Sequence, residues 1–228
     1  MDRAPWLLAT VALFCLIHMD LISDIQPQKR NQQRVNIYVG GQYAFSLSLT
    51  AAAELKIGQP LTPELLAQVR SQDEFDKARL TAERFLSYRP RSTAEVRQNL
   101  LRKEIPVPLV EQVIRNLQER HLLDDVAFAR YWIEQRESFK PRGTLALRQE
   151  LQQKGLERHI IEAVLTRLDD TSSARRAAEK QAQRWSHLPW EAFSQKMGSF
   201  LQRRGFDYDT IRQVTRAVWQ AQAADEPE

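Results

Sequence analysis

One sequence unit occurs three times in this chain, and this repetition constrains the fold more than any other feature. Residues 96–117 align without gaps with residues 147–168 at a shift of 51 residues, and residues 197–218 continue the pattern at a shift of 50. This period is longer than the helix-pair repeats of about 34 residues. We therefore predict tandem three-helix modules that pack against their neighbours in an elongated, curved array.

Each unit has the sequence pattern of three helices. The first helices are predicted over 76–88, 125–137 and 174–186, and the last helix of each unit carries apolar residues at helical spacing. In the first unit, Ser92 and Glu95 have the spacing of a capping box, which predicts that the middle helix begins there.

The residue after the middle helix differs among the units. Gly155 and Gly205 occupy this position in the second and third units, where a left-handed conformation costs glycine little. The first unit has Glu104 instead, followed by Ile-Pro-Val-Pro, so we expect its turn to differ.

Residues 21–75 have a different pattern. Apolar residues alternate over 35–39 and 43–49 around Gly40 and Gly41, which predicts a β-hairpin, and a third strand is expected over 21–25. The two glycines lack the surrounding pattern of a phosphate-binding loop. Short helices are predicted over 50–55 and 63–69, with residues 60–75 connecting this module to the repeats.

Cysteine content limits the chemistry. The chain has one cysteine, Cys15, which excludes a disulfide framework and any site built from several thiolates, and is typical of a protein of the reducing cytosol. With only 7 glycines and 10 prolines in 228 residues, a large all-β fold is also disfavoured.

Positive charge is concentrated in the helical region. Residues 76–220 contain 27 Lys and Arg against 19 Asp and Glu, whereas residues 221–228 contain only acidic charges, 3 in number. A positive field favours a polyanionic partner such as nucleic acid. A solvated helix surface with a basic bias is the alternative.

The first 18 residues contain an apolar run from Trp6 to Ile17 that is too short to span a bilayer. It also lacks the cleavage site of a signal peptide. Translation starting at Met19 is one explanation of this segment, and a leader or a packed helix are the others. We expect no stable membrane association.

No catalytic or metal-binding constellation is evident. Asp124 and Asp125 are adjacent carboxylates, but their position before Val-Ala-Phe-Ala favours helix capping over metal binding. No comparable acidic pair is recognised at the start of the third unit. The tryptophans within helices, such as Trp132, are interpreted as core residues, and Trp190 is expected to be exposed in a loop.

The segment Leu-Leu-Asp-Asp-Val-Ala-Phe-Ala at 122–129, the capping box and the Lys-Gly turns closely resemble the RecX family of bacterial recombinase regulators. The resemblance extends over residues 21–219. It implies three tandem three-helix repeats in a bent molecule that binds RecA nucleoprotein filaments and restrains strand exchange and ATP hydrolysis. Because no catalytic constellation is evident, we expect no enzymatic activity, and we expect no cofactor.

The sequence therefore predicts a mostly α protein with a small N-terminal module that contains a β-hairpin. The expected parts are a doubtful hydrophobic leader, the N-terminal module, three repeats and a disordered acidic tail, with the boundaries 1–18, 19–75, 76–122, 123–170, 171–220 and 221–228.

The predicted function is regulation of a RecA-type recombinase by docking on its filament, as a cytosolic monomer that is close to the filament's nucleic acid. A sequence-independent DNA-binding protein that needs no recombinase is the alternative, and a DNA-processing enzyme is disfavoured. The candidate binding residues are basic and lie on or beside the middle helices. They are Arg97, Lys103, Lys140, Arg142, Arg148, Lys154, Arg203 and Arg204.

Overall fold

The computed structural model describes residues 21–225, and they form a mostly helical protein with one small sheet. This part of the chain contains three strands and ten helices. The helices are α1 Leu49–Ala52, α2 Pro63–Leu86, α3 Thr93–Leu101, α4 Val107–Glu119, α5 Asp125–Phe139, α6 Thr144–Gln153, α7 Arg158–Leu165, α8 Asp170–Ala182, α9 Trp190–Arg203 and α10 Tyr208–Asp225. The leader predicted over 1–18 and the last three residues lie outside the described part.

The sheet is antiparallel, with strand order β1-β2-β3. The strands are β1 Ile22–Pro27, β2 Arg34–Val39 and β3 Gln42–Ser48. The predicted hairpin and third strand are thus confirmed. The register shifts after the Ile37 and Phe45 pair, and Tyr38 then pairs with Tyr43. Because of this bulge, Tyr43 leaves the buried alternation and is 58% exposed.

The chain divides into two compact units. The first contains the described residues up to Arg84 together with Ile105–Val113. Its core combines the inner face of the sheet with α1 and α2. The buried side chains are Ile22, Val35, Ile37, Leu47, Ala51, Ala52, Leu55 and Val69.

Two buried carboxylates of α2 bind the hairpin. Asp73 accepts hydrogen bonds from the Arg34 guanidinium (3.0 Å) and the Ser48 backbone N–H (2.7 Å). Asp76 accepts from the hydroxyls of Ser48 (2.5 Å) and Thr50 (2.7 Å). These contacts compensate the cost of burying the two charges.

Helix α2 corrects the predicted connection over 60–75. It runs without interruption over Pro63–Leu86, where we expected two helices, and the proposed boundary after residue 75 therefore falls inside a helix. No glycine or proline follows Pro63 within this segment, and the acidic residues that interrupt its apolar pattern are paired with the hairpin. Nothing in the sequence therefore ends the helix early.

The second unit contains Phe85–Glu104 and the described residues from Ile114 onward. Helices α5, α6 and α7 form one core around Phe128, Leu147, Leu151 and Ile161. Helices α8, α9 and α10 form another. The second core includes Ala174, Ala177, Ala178, Ala182, Phe193, Met197, Leu201, Phe206, Val214 and Val218. We call α2–α4, α5–α7 and α8–α10 repeats 1, 2 and 3.

Repeat 3 differs from the sequence predictions at two places. Helix α10 continues to Asp225, past the predicted boundary at Ala221. Trp190 is exposed as predicted, but it is the first residue of α9 and not a loop residue, and its ring lies 5.6 Å from that of Trp219. It is therefore part of an aromatic cluster.

The turn after the middle helix is left-handed in all three repeats. Gly155 and Gly205 have φ of +76° and +80°, and Glu104 has φ of +61°. The expectation that the turn of repeat 1 would differ is thus wrong for its backbone conformation. A side chain in this conformation is strained.

Within residues 21–225, none of the helices combines the length and the apolar character needed to span a membrane.

Candidate functional site

Equivalent backbone positions join successive repeats in the second unit. Ser92 and Gly143 are the N-caps of α3 and α6. The Ser92 hydroxyl donates to the carbonyl oxygen of Lys154 (2.6 Å), and the Gly143 N–H donates to that of Arg204 (2.9 Å). Lys154 and Arg204 are the C-caps of α6 and α9. The start of one middle helix therefore contacts the end of the next.

The two contacts require glycine in the turn. A Cβ on Gly155 would lie 2.4 Å from the Cβ of Ala94. A Cβ on Gly205 would lie 2.4 Å from the Cβ of Ala146 and 2.5 Å from its backbone nitrogen. Both glycines thus permit a close approach of the backbones as well as a positive φ.

Aspartates at the start of repeats 2 and 3 cap helices. Asp124 accepts hydrogen bonds from the first turn of α5, which supports the capping interpretation. Asp125 accepts from the Thr93 N–H (2.8 Å), at the start of the preceding middle helix. Asp170 makes the same contact with the Thr144 N–H (3.0 Å).

A second acidic pair is therefore present that was not predicted from the sequence. Asp169 is the N-cap of α8, and Asp170 follows it as Asp125 follows Asp124. The pairs are 45 residues apart, whereas the middle helices of repeats 2 and 3 align at a shift of 50, so the gapless comparison did not superimpose them.

The central basic cluster lies in a cavity of about 330 Å³ on repeat 2, which we call the repeat-2 cleft. Glu150 of α6 accepts hydrogen bonds from Trp132 Nε1 and Arg136 Nε, both at 2.7 Å. Its other oxygen lies 3.0 Å from Arg142 Nε. The charged groups of Arg136 and Lys154 lie 4.7 and 4.8 Å from the centre of the Trp132 ring. Three cations thus surround one carboxylate and one aromatic ring.

Lys154 also connects this cleft to repeat 1. Its Nζ lies 3.0 Å from Glu95, which pairs with Arg89 at 2.9 Å. Burial raises the pKa of Glu95, but the hydrogen bonds from Arg89, Lys154 and the Ser92 N–H outweigh it and lower the pKa to about 2. Glu95 is therefore ionised at neutral pH.

Positive charge continues into repeat 3 through residues 140–143, the basic loop. Arg204 donates to the Pro141 carbonyl (2.9 Å), and its guanidinium lies 4.5 Å from the centre of the Phe200 ring. Burial lowers the pKa of Arg204, and the nearby charge of Arg142 lowers it further. Arg142 and Arg204 thus form a cationic pair across the junction of repeats 2 and 3.

The structure does not place Arg148 with this group. Arg148 makes two hydrogen bonds to Glu162 of α7 (2.9 and 3.0 Å). It lies six residues before Lys154, which corresponds to about 120° around a helix, so the two side chains leave α6 on different sides. Arg97 is half-buried on α3 and is not a free cation.

The three remaining candidates are exposed. Lys103 lies in the turn after α3, Lys140 is the C-cap of α5, and Arg203 is the last residue of α9. Within the described residues, none of them forms an ion pair. These side chains are therefore available to a partner without breaking an internal ion pair.

Arg136 was not among the residues predicted from the sequence. Trp132 packs against the core of repeat 2, as predicted, but it is half-buried and also lines the cleft. They are four residues apart on α5, a spacing that places side chains on one face of a helix. That spacing could have indicated from the sequence that Arg136 and Trp132 lie side by side. The role of Glu150 was not visible, because it depends on how α5 and α6 pack.

The chemistry of the repeat-2 cleft is that of anion recognition. Arginine beside an aromatic ring and lysine within the same cavity suit a carboxylate or phosphate. Throughout residues 21–225, no group of three or more His, Cys, Asp and Glu side chains could hold a metal ion.

Four protein-family models match successive segments of this chain. Residues 20–62 match the regulatory protein RecX N-terminal domain, and residues 78–117, 124–165 and 169–215 match the first, second and third three-helix domains of RecX.

Two relatives, both named regulatory protein RecX, illustrate the similarity. The protein from Halalkalibacterium halodurans is 34% identical over 205 residues, covering 86% of this chain and 77% of the relative. The one from Bacillus subtilis is 33% identical over 198 residues, covering 85% and 75%.

The fold is also similar to solved structures of RecX proteins. A crystal structure of a regulatory protein RecX superimposes with a TM-score of 0.74 at 27% identity, covering 86% of this chain and 99% of the other. The structure of RecX from Lactobacillus salivarius gives 0.60 at 25% identity, covering 64% and 97%.

Proposed function

Because the chain belongs to the RecX family of regulatory proteins, we propose that it regulates a RecA-type recombinase by docking on the recombinase's nucleoprotein filament. The regulation is inhibitory: the bound protein restrains recombinase activity in DNA recombination and repair. It acts as a monomer in the cytosol and lies close to the nucleic acid of the filament.

One observation carries this proposal, namely the run of cations across the junction of repeats 2 and 3. It extends from Lys154 and Arg136 in the repeat-2 cleft through Arg142 to Arg204. A filament presents phosphates and acidic side chains together, and positive charge increases both the rate and the strength of association with such a surface. Exposed Lys140 and Arg203 are close in sequence to Arg142 and Arg204, respectively.

The decisive measurement is ATP hydrolysis by a RecA-type recombinase on single-stranded DNA, with and without the protein. We expect hydrolysis to fall as the protein is added. An unchanged rate at a protein concentration that saturates filament binding would contradict regulation of the recombinase.

A matched pair of variants locates the docking surface. Lys140→Gln with Arg203→Gln removes two exposed cations that form no ion pair within the described residues, and Arg130→Gln with Arg158→Gln removes two exposed cations elsewhere on repeat 2. We expect only the first variant to weaken inhibition. Equal effects of the two variants would indicate dependence on total charge, and would contradict docking at this surface.

The alternative functions are separated by two controls. Equal affinity for naked DNA and for the filament, without an effect on hydrolysis, would favour a DNA-binding protein that needs no recombinase. Cleavage of DNA in the presence of a divalent metal would instead indicate a nuclease.

A further inference from the structure

A second cavity, of about 410 Å³, lies between the end of α5 and helices α8 and α9; we call it the repeat-3 cleft. Its lining includes Pro141 of the basic loop, and Arg204 is the one candidate binding residue that lines it. Its lining combines aromatic and cationic side chains. They are Phe139, Arg176, Lys180, Arg184, Phe200 and Arg204.

Three of the cations form a row along α8 and the turn after it. Arg176, Lys180 and Arg184 are spaced by four residues, so that they follow one face of the helix. Arg176 is bound to Glu137. Lys180 and Arg184 are exposed, and no carboxylate of the described residues lies within ion-pair distance of either.

The two acidic residues of the cleft are each paired with an arginine. Glu137 accepts hydrogen bonds from Arg176 and from the Ser173 hydroxyl (2.6 Å). Glu179 pairs with Arg175, whose Nε lies 3.5 Å from its carboxylate. The cleft therefore keeps a positive excess that comes from Lys180, Arg184 and Arg204.

The innermost cation has no anionic partner among the described residues. Arg204 donates to a carbonyl oxygen and stacks on Phe200, while Arg142 places a second positive charge nearby. An anion bound here would offset this repulsion. The position is therefore suited to a phosphate.

The aromatic residue at the entrance is unusually exposed. Phe139 is the last residue of α5, and 78% of its surface is accessible. A phenylalanine this exposed contributes little to the core. Exposed aromatic rings beside a cationic groove are the combination with which proteins bind single-stranded nucleic acid, because bases stack on the rings while cations follow the backbone.

We propose that the repeat-3 cleft is a binding site for single-stranded nucleic acid, in which Phe139 stacks on a base and Lys180, Arg184 and Arg204 contact phosphates. Binding here needs no recombinase, so this site goes beyond the proposed regulatory function and is tested apart from it.

The test is fluorescence anisotropy of a labelled oligothymidylate, titrated with the full chain alone over a range of salt concentrations. Lys180→Gln with Arg184→Gln is compared with Arg212→Gln with Arg216→Gln, which removes two exposed cations, also four residues apart, from α10 of the same repeat. Phe139→Ala removes the ring without changing charge. A duplex of equal length and thymidine monophosphate serve as alternative ligands.

We expect the α8 pair to weaken binding and to flatten the dependence of log K on log salt by about 0.7 for each phosphate that is no longer bound. The α10 pair should change neither. Phe139→Ala should weaken binding of the single strand about tenfold without changing the slope, and duplex binding should be unaffected.

Any of several results would overturn the proposal. They are the absence of saturable oligothymidylate binding at low salt, equal effects of the α8 and α10 pairs, and equal weakening of single-strand and duplex binding in Phe139→Ala. Tighter binding of the mononucleotide than of the oligonucleotide would also overturn it, in favour of a nucleotide site. If one of these results is obtained and all variants still inhibit recombinase ATP hydrolysis, the cleft proposal is wrong and the proposed regulatory function stands.

Discussion

The Ser92 hydroxyl lies 2.6 Å from the Lys154 carbonyl oxygen and so joins the start of α3 to the end of α6. The same hydroxyl accepts the Glu95 N–H (3.2 Å), which completes the capping box of α3. One side chain therefore both begins a helix and holds the next repeat against it.

Ser92→Ala should lower the free energy of unfolding by about 1–2 kcal/mol, because it removes the cap and leaves a carbonyl of the junction without its donor. Ser186→Ala, at an exposed serine, should change it by less than about 0.5 kcal/mol. Urea denaturation followed by circular dichroism measures both. Equal values for the two variants would contradict a role of Ser92 in the junction.

The left-handed turns predict that substitutions at equivalent positions have opposite effects on the stability of the protein. Glu104→Gly should stabilise the protein by up to about 1 kcal/mol, because Glu104 has φ of +61° and is exposed. Gly205→Ala should destabilise it by several kcal/mol, since the new Cβ would overlap the backbone of Ala146. Thermal unfolding of the two variants tests this, and a decrease in stability in Glu104→Gly would show that its side chain compensates the strain.

Much of the local structure could be predicted from the sequence because its determinants are local. The hairpin follows from alternation around Gly40 and Gly41, and the start of α3 follows from the spacing of Ser92 and Glu95. The helices of repeats 2 and 3 follow from apolar periodicity and are confirmed in number, although α8 begins at Asp170, four residues before the predicted start.

Interactions between residues far apart in sequence could not be predicted in this way. Residues 70–75 of helix α2 are mostly polar and were predicted as a connection, but Asp73 among them is buried and paired with Arg34, which is 39 residues away in sequence. Likewise, the division of basic residues into engaged and exposed ones depends on Glu150 and Glu162, whose partners are set by helix packing. Basic residues that look alike in the sequence therefore have different roles in the fold.

The ion cluster of Glu95 predicts a pH dependence of stability. Its pKa in the folded protein is about 2, below the usual value of 4.5, so its contribution is fully present above pH 4.5 and is lost as the pH falls towards 2. The contribution is about 1–3 kcal/mol at neutral pH. Glu95→Gln should therefore be less stable than the parent at pH 6, and the difference should shrink between pH 5 and pH 3. A difference that stays constant would contradict ionisation of Glu95 as its cause.

Substitutions of Arg203 and Arg204 distinguish an effect on filament binding from an effect on the stability of the protein. Arg204 donates to the Pro141 carbonyl and stacks on Phe200, so Arg204→Gln should lower the free energy of unfolding by about 1–2 kcal/mol. Arg203 is exposed, and Arg203→Gln should change it by less than about 0.5 kcal/mol. If Arg203 contacts filament phosphates, the same variant should weaken filament binding and flatten its salt dependence by about 0.7–0.9 logarithmic units.

Arg216→Gln is the control for this binding measurement, since it removes an exposed cation of α10 in the same repeat. Only Arg203→Gln tests filament binding without a change in the fold, because weaker binding of Arg204→Gln could arise from a loosened junction of repeats 2 and 3. Unchanged affinity and salt dependence in Arg203→Gln would assign Arg203 to the solvated surface. Lys140 and Lys103, the other exposed candidates, would then be the next positions to change, each with its own stability measurement.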